Sequence, residues 1–414
     1  MFGSSILIFL VVAVIEFYFL QAVKTFVIDL TGIKRDLILY TAYGFTALSF
    51  LIGIAAFIYP PPNWNGFFRM VMAISLILFV CKLIGCNFLL IDDIIRFFRW
   101  LFKLITVKKE VVEEGVYKIS RLKFMSQLAV TFTVIPAVGF LYGIFKGAYK
   151  YKIHQVKVPS SKIPDSFDGF KIVQISDIHT GSFLNNSALQ EAFDIVMKQG
   201  ADLILFTGDL VNNKAEETQG FEEIYAKLKA PHGVFSVLGN HDYGDYVQWE
   251  SAEAKRKNLE NLMAVHANAG WKLLMNEHVA LEKNGEKIAL LGIENWGGNM
   301  HFPKYGKMED AHKGTESYPF KILMSHDPSH WEKQVQADYR DVDLTLSGHT
   351  HGMQFGIEIP GFKWSPVKYF YKQWAGLYKS GEQFLYVNRG LGFLGYPGRL
   401  GIWPEITVME LKKV

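Results

Sequence analysis

Two hydrophobic patterns divide the chain near residue 150. Before that point apolar residues run on with few breaks, and Met1–Gln21, Leu37–Tyr59, Phe68–Ile91 and Phe124–Ile144 are each long enough, as helices, to cross a hydrocarbon core of about 30 Å. Beyond it the apolar residues come in short runs of strand length: "KIVQIS" (171–176), "DLILFTG" (202–208), "GVFSVLG" (233–239), "KIALLGIE" (287–294), "FKILMS" (320–325), "VDLTLSG" (342–348), "FLYVN" (384–388) and "EITVMEL" (405–411). Between the early runs lie helical patterns such as 187–198, with Ser187 as its cap and Gly200 as its stop. Strand alternating with helix predicts an α/β sheet domain. The stretch 149–169, with its Lys, Pro and Ser, reads as a linker, so the expected organisation is a membrane region (1–148), a linker (149–169) and a sheet domain (170–414).

Composition adds to this picture mainly in the first part. Half of the residues are hydrophobic (50%), with the excess concentrated before residue 150. The first apolar stretch lacks a basic start and is too long for a signal-peptide core, so it reads as a retained helix. Glu16 and Lys82 fall inside apolar segments; Lys82 is expected to snorkel toward the interface, with a mutual pair as the alternative. "IIRFFRWLFKLI" (Ile94–Ile105) reads as a basic, aromatic helix lying on the inner membrane surface, the alternative being an extension of the third helix.

Basic residues near the helix ends number eleven in the first and third loops, against five on the opposite side. Cytoplasmic loops retain Lys and Arg, which places both termini, and with them the sheet domain, outside the cytoplasm in a multi-pass protein of the cell inner membrane. Cys81 and Cys86 lie together in the third apolar segment, so there is no disulfide framework. The net charge of +3 is small and dispersed, which argues against nucleic acid as a partner, and nothing in the sequence calls for an obligate protein partner.

The polar residues of the second part gather where strands end, the place where reactive groups collect in α/β sheets. Asp177 and His179 follow the first run, Asp209 the second, and Asn240, His241 and Asp242 the third; His326 follows a later one, and His349 and His351 close "LSGHTH". Such O and N donors suit Mn, Fe or Zn better than calcium. Five of the twelve histidines belong to these clusters; the others, His154, His232, His266, His278, His301, His312 and His330, read as ordinary surface or core residues. If the segment is extended, His349 and His351 point to one side and Thr350 to the other, with Gly348 and Gly352 permitting turns and close approach.

The ordered set D-x-H, G-D, G-N-H-D, a single His and G-H-T-H resembles the calcineurin-like metallophosphoesterases over roughly 170–412, and the tail "NRGLGFLGYPGRLGIWPEITVMEL" is similar to the bacterial membrane-associated branch of that family. The resemblance implies a four-layer α-β-β-α sandwich with a site for two divalent metal ions. Asp177, His179, Asp209 and His351 would hold one; Asp209, Asn240, His326 and His349 would hold the other, with Asp209 bridging. It further implies that His241 protonates the leaving oxygen. Many relatives carry a carboxylate three residues after the bridging aspartate to orient that histidine; here the position is Asn212, which can accept a hydrogen bond but adds no charge, and Asp242 is the alternative orienting group.

Around this site, Trp296, Trp364 and Tyr369 lie in loops that suit contact with acyl chains or the membrane interface, or else ordinary packing. Arg389 and Arg399 flank a glycine-rich stretch and suit either a substrate phosphate or a structural salt bridge. The expected activity is hydrolysis of a phosphodiester, phosphomonoester or pyrophosphate, in a phosphorylated and lipid-linked substrate. One alternative is the UDP-2,3-diacylglucosamine type of pyrophosphate hydrolase of lipid A synthesis, although those carry G-N-R-D where this chain has G-N-H-D. A second is a binding scaffold without catalysis, against which stands the complete ligand set.

Overall fold

A computed structural model describes residues 2–58, 66–105, 121–298 and 302–414, which fall into two compact units, 1–142 and 143–414. In the first, four helices follow the four apolar segments: α1 (Phe2–Phe26), α2 (Gly32–Ile58), α3 (Gly66–Ile105) and α4 (Arg121–Phe145). All four are long and apolar enough to span a membrane. Helix α3 continues without a break through Ile105, so "IIRFFRWLFKLI" extends the third helix and is not a separate surface helix.

Lys82 does not snorkel. Its Nζ lies 2.9 and 2.7 Å from the two carboxylate oxygens of Glu16, and Thr46 Oγ1 donates to Glu16 Oε2 at 2.7 Å. Both charged side chains are buried, so the pair joins α1 to α3 and Thr46 adds α2. Deep in an apolar bundle each charge needs an opposite charge and hydrogen bonds, and mutual pairing supplies both. Lys108, Lys109 and Lys118, counted for the topology, lie outside the described residues.

The second unit begins sooner than the sequence suggests. The supposed linker contains β1 (Lys152–Pro159), which pairs in parallel with the last strand, β14 (Glu405–Lys412), in register from Lys152↔Glu405 to Pro159↔Lys412. Val158, Ile163 and Phe167 of this stretch are core residues. An edge strand exposes most of its side chains, which is why this one reads as polar.

The remaining strands are β2 (Lys171–Ile175), β3 (Leu203–Phe206), β4 (Val234–Ser236), β5 (Lys272–Leu273), β6 (Glu277–Lys283), β7 (Glu286–Gly292), β8 (Lys321–Met324), β9 (Leu344–Ser347), β10 (Ile357–Ile359), β11 (Phe362–Trp364), β12 (Gly376–Ser380) and β13 (Gln383–Val387). They form two six-stranded sheets, ordered β1-β14-β2-β3-β4-β5 and β12-β13-β9-β8-β7-β6, and a small hairpin, β10-β11.

Three apolar clusters define four layers. Ile172, Leu203, Leu205 and Met409 of the first sheet meet Ile288, Ile322, Leu344 and Phe384 of the second in the central core. The alternate residues of the first sheet, among them Val173, Ile204 and Phe206, pack under α5 (Ser187–Met197) and Leu262 of the helix Ala252–Asn268. The outer face of the second sheet packs Leu291, Leu323 and Leu385 against Trp331, Val335 and Met308. Strands covered on both faces must be apolar at consecutive positions, and these are the runs visible in the sequence. Helix α5 begins at Ser187, but Ser187 is its first residue and not its cap: the preceding Asn186 is helical and makes no side-chain cap.

Candidate metal centre

The strands of both sheets deliver their last residues to one place. Asp177 and His179 follow β2, Asp209 follows β3, Asn240 and His241 follow β4, His326 follows β8, and His349 and His351 follow β9. The backbone there is bent hard. Asp177 (φ 49°), His179 (φ 49°), Asp209 (φ 61°), His349 (φ 72°) and His351 (φ 50°) all adopt the left-handed region, which costs energy for any residue with a Cβ and persists only where the surroundings enforce it.

The segment His349–Thr350–His351 is therefore not extended, contrary to the alternation argument; Thr350 is helical (φ −78°, ψ −22°) between two left-handed histidines. Gly348 is needed for proximity: a Cβ there would lie 2.0 Å from Ser176 Oγ and 2.2 Å from an Asp177 carboxylate oxygen. Gly239 is pressed the same way against Asp209 Oδ1, at 2.2 Å.

Two donor groups result, Asp177 with His179 and His351, and Asp209 with His326 and His349; within each the ligand atoms lie within 4.8 Å of one another. Asp209 connects them. Its Oδ1 accepts the His241 backbone N–H at 2.8 Å, while its Oδ2 lies 3.5 Å from His179 Nε2 and 3.1 Å from His326 Nε2. Asn240 brings its Oδ1 to within 2.7 Å of His349 Nδ1 and donates its amide N–H to Tyr246 at 2.8 Å, which fixes the direction of the amide.

The ring nitrogens make the case for metal. His326 Nδ1 is 2.7 Å from the Thr207 carbonyl and His179 Nδ1 is 3.1 Å from Asn212 Oδ1, so each ring turns Nε2 inward. His179 Nε2 and His351 Nε2 are buried without a hydrogen-bond partner, and His326 Nε2 faces the Asp209 carboxylate at 3.1 Å. Buried polar atoms are rarely left so, and an inward-facing trio beside two carboxylates fits divalent cations.

Electrostatics agree with that reading. Burial pushes His179 down to about 3 and His351 well below its usual range, keeping both rings neutral and free to ligate. Burial alone would also lower His326, but the Asp209 carboxylate lifts it to about 10. A proton there gives Asp209 the positive neighbour it requires, a role that a divalent cation takes over when it displaces protons from its ligands.

Several expected roles change. Asp242 does not touch the His241 ring. Its fully buried carboxylate accepts backbone N–H groups from Gly239, Asp209, Leu210 and Val211 at 2.8–3.3 Å and so clasps the loop carrying Asp209. The Asn212 side chain serves His179, while the Asn212 main-chain carbonyl lies 2.7 Å from His241 Nδ1.

Arg389 is buried and pairs with Glu405 and Glu358. Arg399, fully buried, donates to the carbonyls of Arg389, Gly390 and Gly392. Arg389 is thus held in ion pairs, while Arg399 also brings a guanidinium nitrogen to 3.3 Å from His351 Nδ1, beside the donor groups. Trp296 bridges to Lys304, whose Nζ sits 4.3 Å above its ring, and it packs on the outer core of the second sheet. His301 lies outside the described residues.

Supporting residues appear that sequence reasoning did not find. Tyr371 OH lies 2.8 Å from His349 Nε2 and 3.4 Å from Asp327 Oδ2, so a tyrosine and a buried aspartate hold the far side of that ring. Tyr371 is one of many aromatics in its loop, and Asp327 follows His326 without any motif of its own.

Residues 3–148 match a family described as a probable calcineurin-like phosphoesterase transmembrane domain, and residues 170–353 match the calcineurin-like phosphoesterases. The chain is 32% identical to the metallophosphoesterase YkuE of Bacillus subtilis, over 66% of this chain and 90% of that one. It is 28% identical to Phosphodiesterase YaeI of Escherichia coli, over 71% of this chain and 99% of that one. A transmembrane protein with metallophosphoesterase domain from Danio rerio is 30% identical over 68% of this chain; the match spans 62% of that relative's length.

Proposed function

The chain belongs to the calcineurin-like phosphoesterase family, and from that premise we propose that it is a membrane-anchored phosphoesterase working with two divalent metal ions, Mn, Fe or Zn. The observation that carries this reading is Asp209 Oδ2, a single oxygen facing the inward nitrogens of both donor groups. Two ions held there would polarise the phosphoryl oxygens and lower the pKa of an attacking water.

The chain's own residues supply the rest. Only Asp177 and Asp209 among the ligands carry charge, and Asn240 ligates as a neutral amide, so the loaded site keeps a positive excess for a phosphate. His241 is half-buried, and with Nδ1 against the Asn212 carbonyl its Nε2 is left to give a proton to the leaving oxygen.

The substrate in this reading is a lipid-linked phosphodiester, phosphomonoester or pyrophosphate, supported by the four spanning helices in the same chain. The basic loops support an extracytoplasmic domain at the inner membrane. The full-length protein with Mn is expected to hydrolyse an aryl phosphodiester and members of a panel of membrane phospholipids and nucleotide-linked lipids. Asp209→Asn and His349→Ala are expected to lose at least about 100-fold in turnover, in line with the loss of a metal-site group. Variants as active as wild type would end the enzymatic reading, and complete protection of the domain from protease in spheroplasts would reverse the orientation.

A further inference from the structure

The hairpin β10-β11 is built inside out. Its register pairs Ile357 with Trp364, Glu358 with Lys363 and Ile359 with Phe362. Residues directly opposite share a face and alternate residues return to it. One face is therefore Ile357, Ile359, Phe362 and Trp364, and the other is Glu358 and Lys363.

The polar face is the one fastened to the domain. Glu358 pairs with Arg389, itself locked on Glu405, and Lys363 donates to the Ala375 carbonyl. Three of the four apolar residues look outward, Ile357 being 50% exposed, Ile359 59% and Phe362 52%, while Trp364 is half-buried beside Phe355. Tyr369, just beyond, is 71% exposed. A hairpin of a water-facing domain would place these side chains the other way round, and an outward cluster of large apolar residues marks a contact surface.

We propose that this face inserts into the lipid surface of a membrane bearing anionic headgroups. Residues 353–380 hold four lysines and one acidic residue; Glu358 pairs with Arg389 and Lys372 with Glu332, so Lys363, Lys368 and Lys379 leave the segment basic around the apolar side chains. Apolar residues flanked by lysine fit the interface of an anionic bilayer. Only residues 146–151 separate α4 from β1, so the chain itself keeps the domain within reach of a bilayer. The hairpin also lies in sequence between His351 of the metal centre and Tyr371, which bonds His349. A lipid surface gripped there would bring phosphorylated headgroups to the loops that carry the ligands, a consequence that rests on the function proposed above. The insertion itself does not depend on that function.

The test uses the full-length chain in nanodiscs containing anionic lipid, with an environment-sensitive fluorophore at Phe362→Cys, at Tyr369→Cys as a second probe, and at Glu382→Cys, in the exposed turn between β12 and β13, as a control. Cys81 and Cys86 are buried and leave the introduced thiol as the reactive one. The hairpin probes are expected to shift to the blue and to be quenched several-fold by spin-labelled lipid, while the control is not. Paired Ile357→Asp and Ile359→Asp substitutions should abolish quenching at Tyr369→Cys. Hairpin probes as water-exposed as the control would overturn the proposal. Probes shielded from iodide but untouched by spin-labelled lipid would also overturn it, assigning the face to a protein partner such as a second copy of the chain.

Discussion

Asn212 stands where a carboxylate was expected to steer His241, and the steering group turns out to be its main-chain carbonyl. Asn212→Ala therefore leaves His241 its partner and removes one from His179. The expected outcome is a loss of about 10- to 100-fold in metal affinity, with little change in the pH profile of turnover at saturating metal. Tyr371→Phe should weaken metal binding through His349 in the same way, read by titrating the metal-stripped protein with Mn. The residues that the structure gathers into the two donor groups were legible because they are chemically distinctive residues at strand ends. Their supports were not, since a Thr207 or Asn212 carbonyl carries no residue identity.

His266 gives a pH prediction away from the metal centre. Burial holds its ring neutral down to about pH 3, and neither nitrogen has a partner. The unfolded chain takes up that proton near pH 6.5, so the stability it contributes is full above about 6.5 and falls by up to about 1.4 kcal/mol per pH unit below it. His266→Leu is expected to flatten this part of the melting-temperature profile of the detergent-solubilised protein.

At the scale of elements, the eight apolar runs all became strands, because strands covered on both faces have to be apolar throughout. β1, β6 and β12 escaped notice because they lie at sheet edges with many exposed positions, and β10 and β11 because their polarity is reversed. Arg389 shows what a glycine-rich flank concealed: it belongs to the sheet-to-hairpin connection. Burial alone would raise Glu405, but Arg389 outweighs this and holds it at about 2. The stabilisation is present above the unfolded carboxyl value of about 4.3 and is lost as pH falls toward 2. Arg389→Met leaves that carboxylate buried without its partner and should cost about 3–5 kcal/mol, measured as a fall in melting temperature at neutral pH.

For the molecule as a whole, four spanning helices and an α/β sheet domain could be read from the change of hydrophobic period, and the four-layer sandwich from the family resemblance of the strand-end motifs, but the join between helices and sheets could not. Within the helical unit, Glu16→Leu strands Lys82 and should lower thermal stability in detergent. The double variant with Lys82→Met should recover most of the loss, since a paired apolar replacement leaves no orphaned charge. The pairing of β1 with β14 has a consequence for biosynthesis. The strand that leaves the ribosome directly after the last membrane helix has as its partner the last strand of the domain. Until that partner arrives, β1 waits as an open edge beside an incomplete sheet, exposed to pairing with other chains. Non-local closure of this kind is slow. A chain halted before residue 405 should therefore hold its four helices in the membrane while its first sheet stays unfinished, even with both donor groups already synthesised.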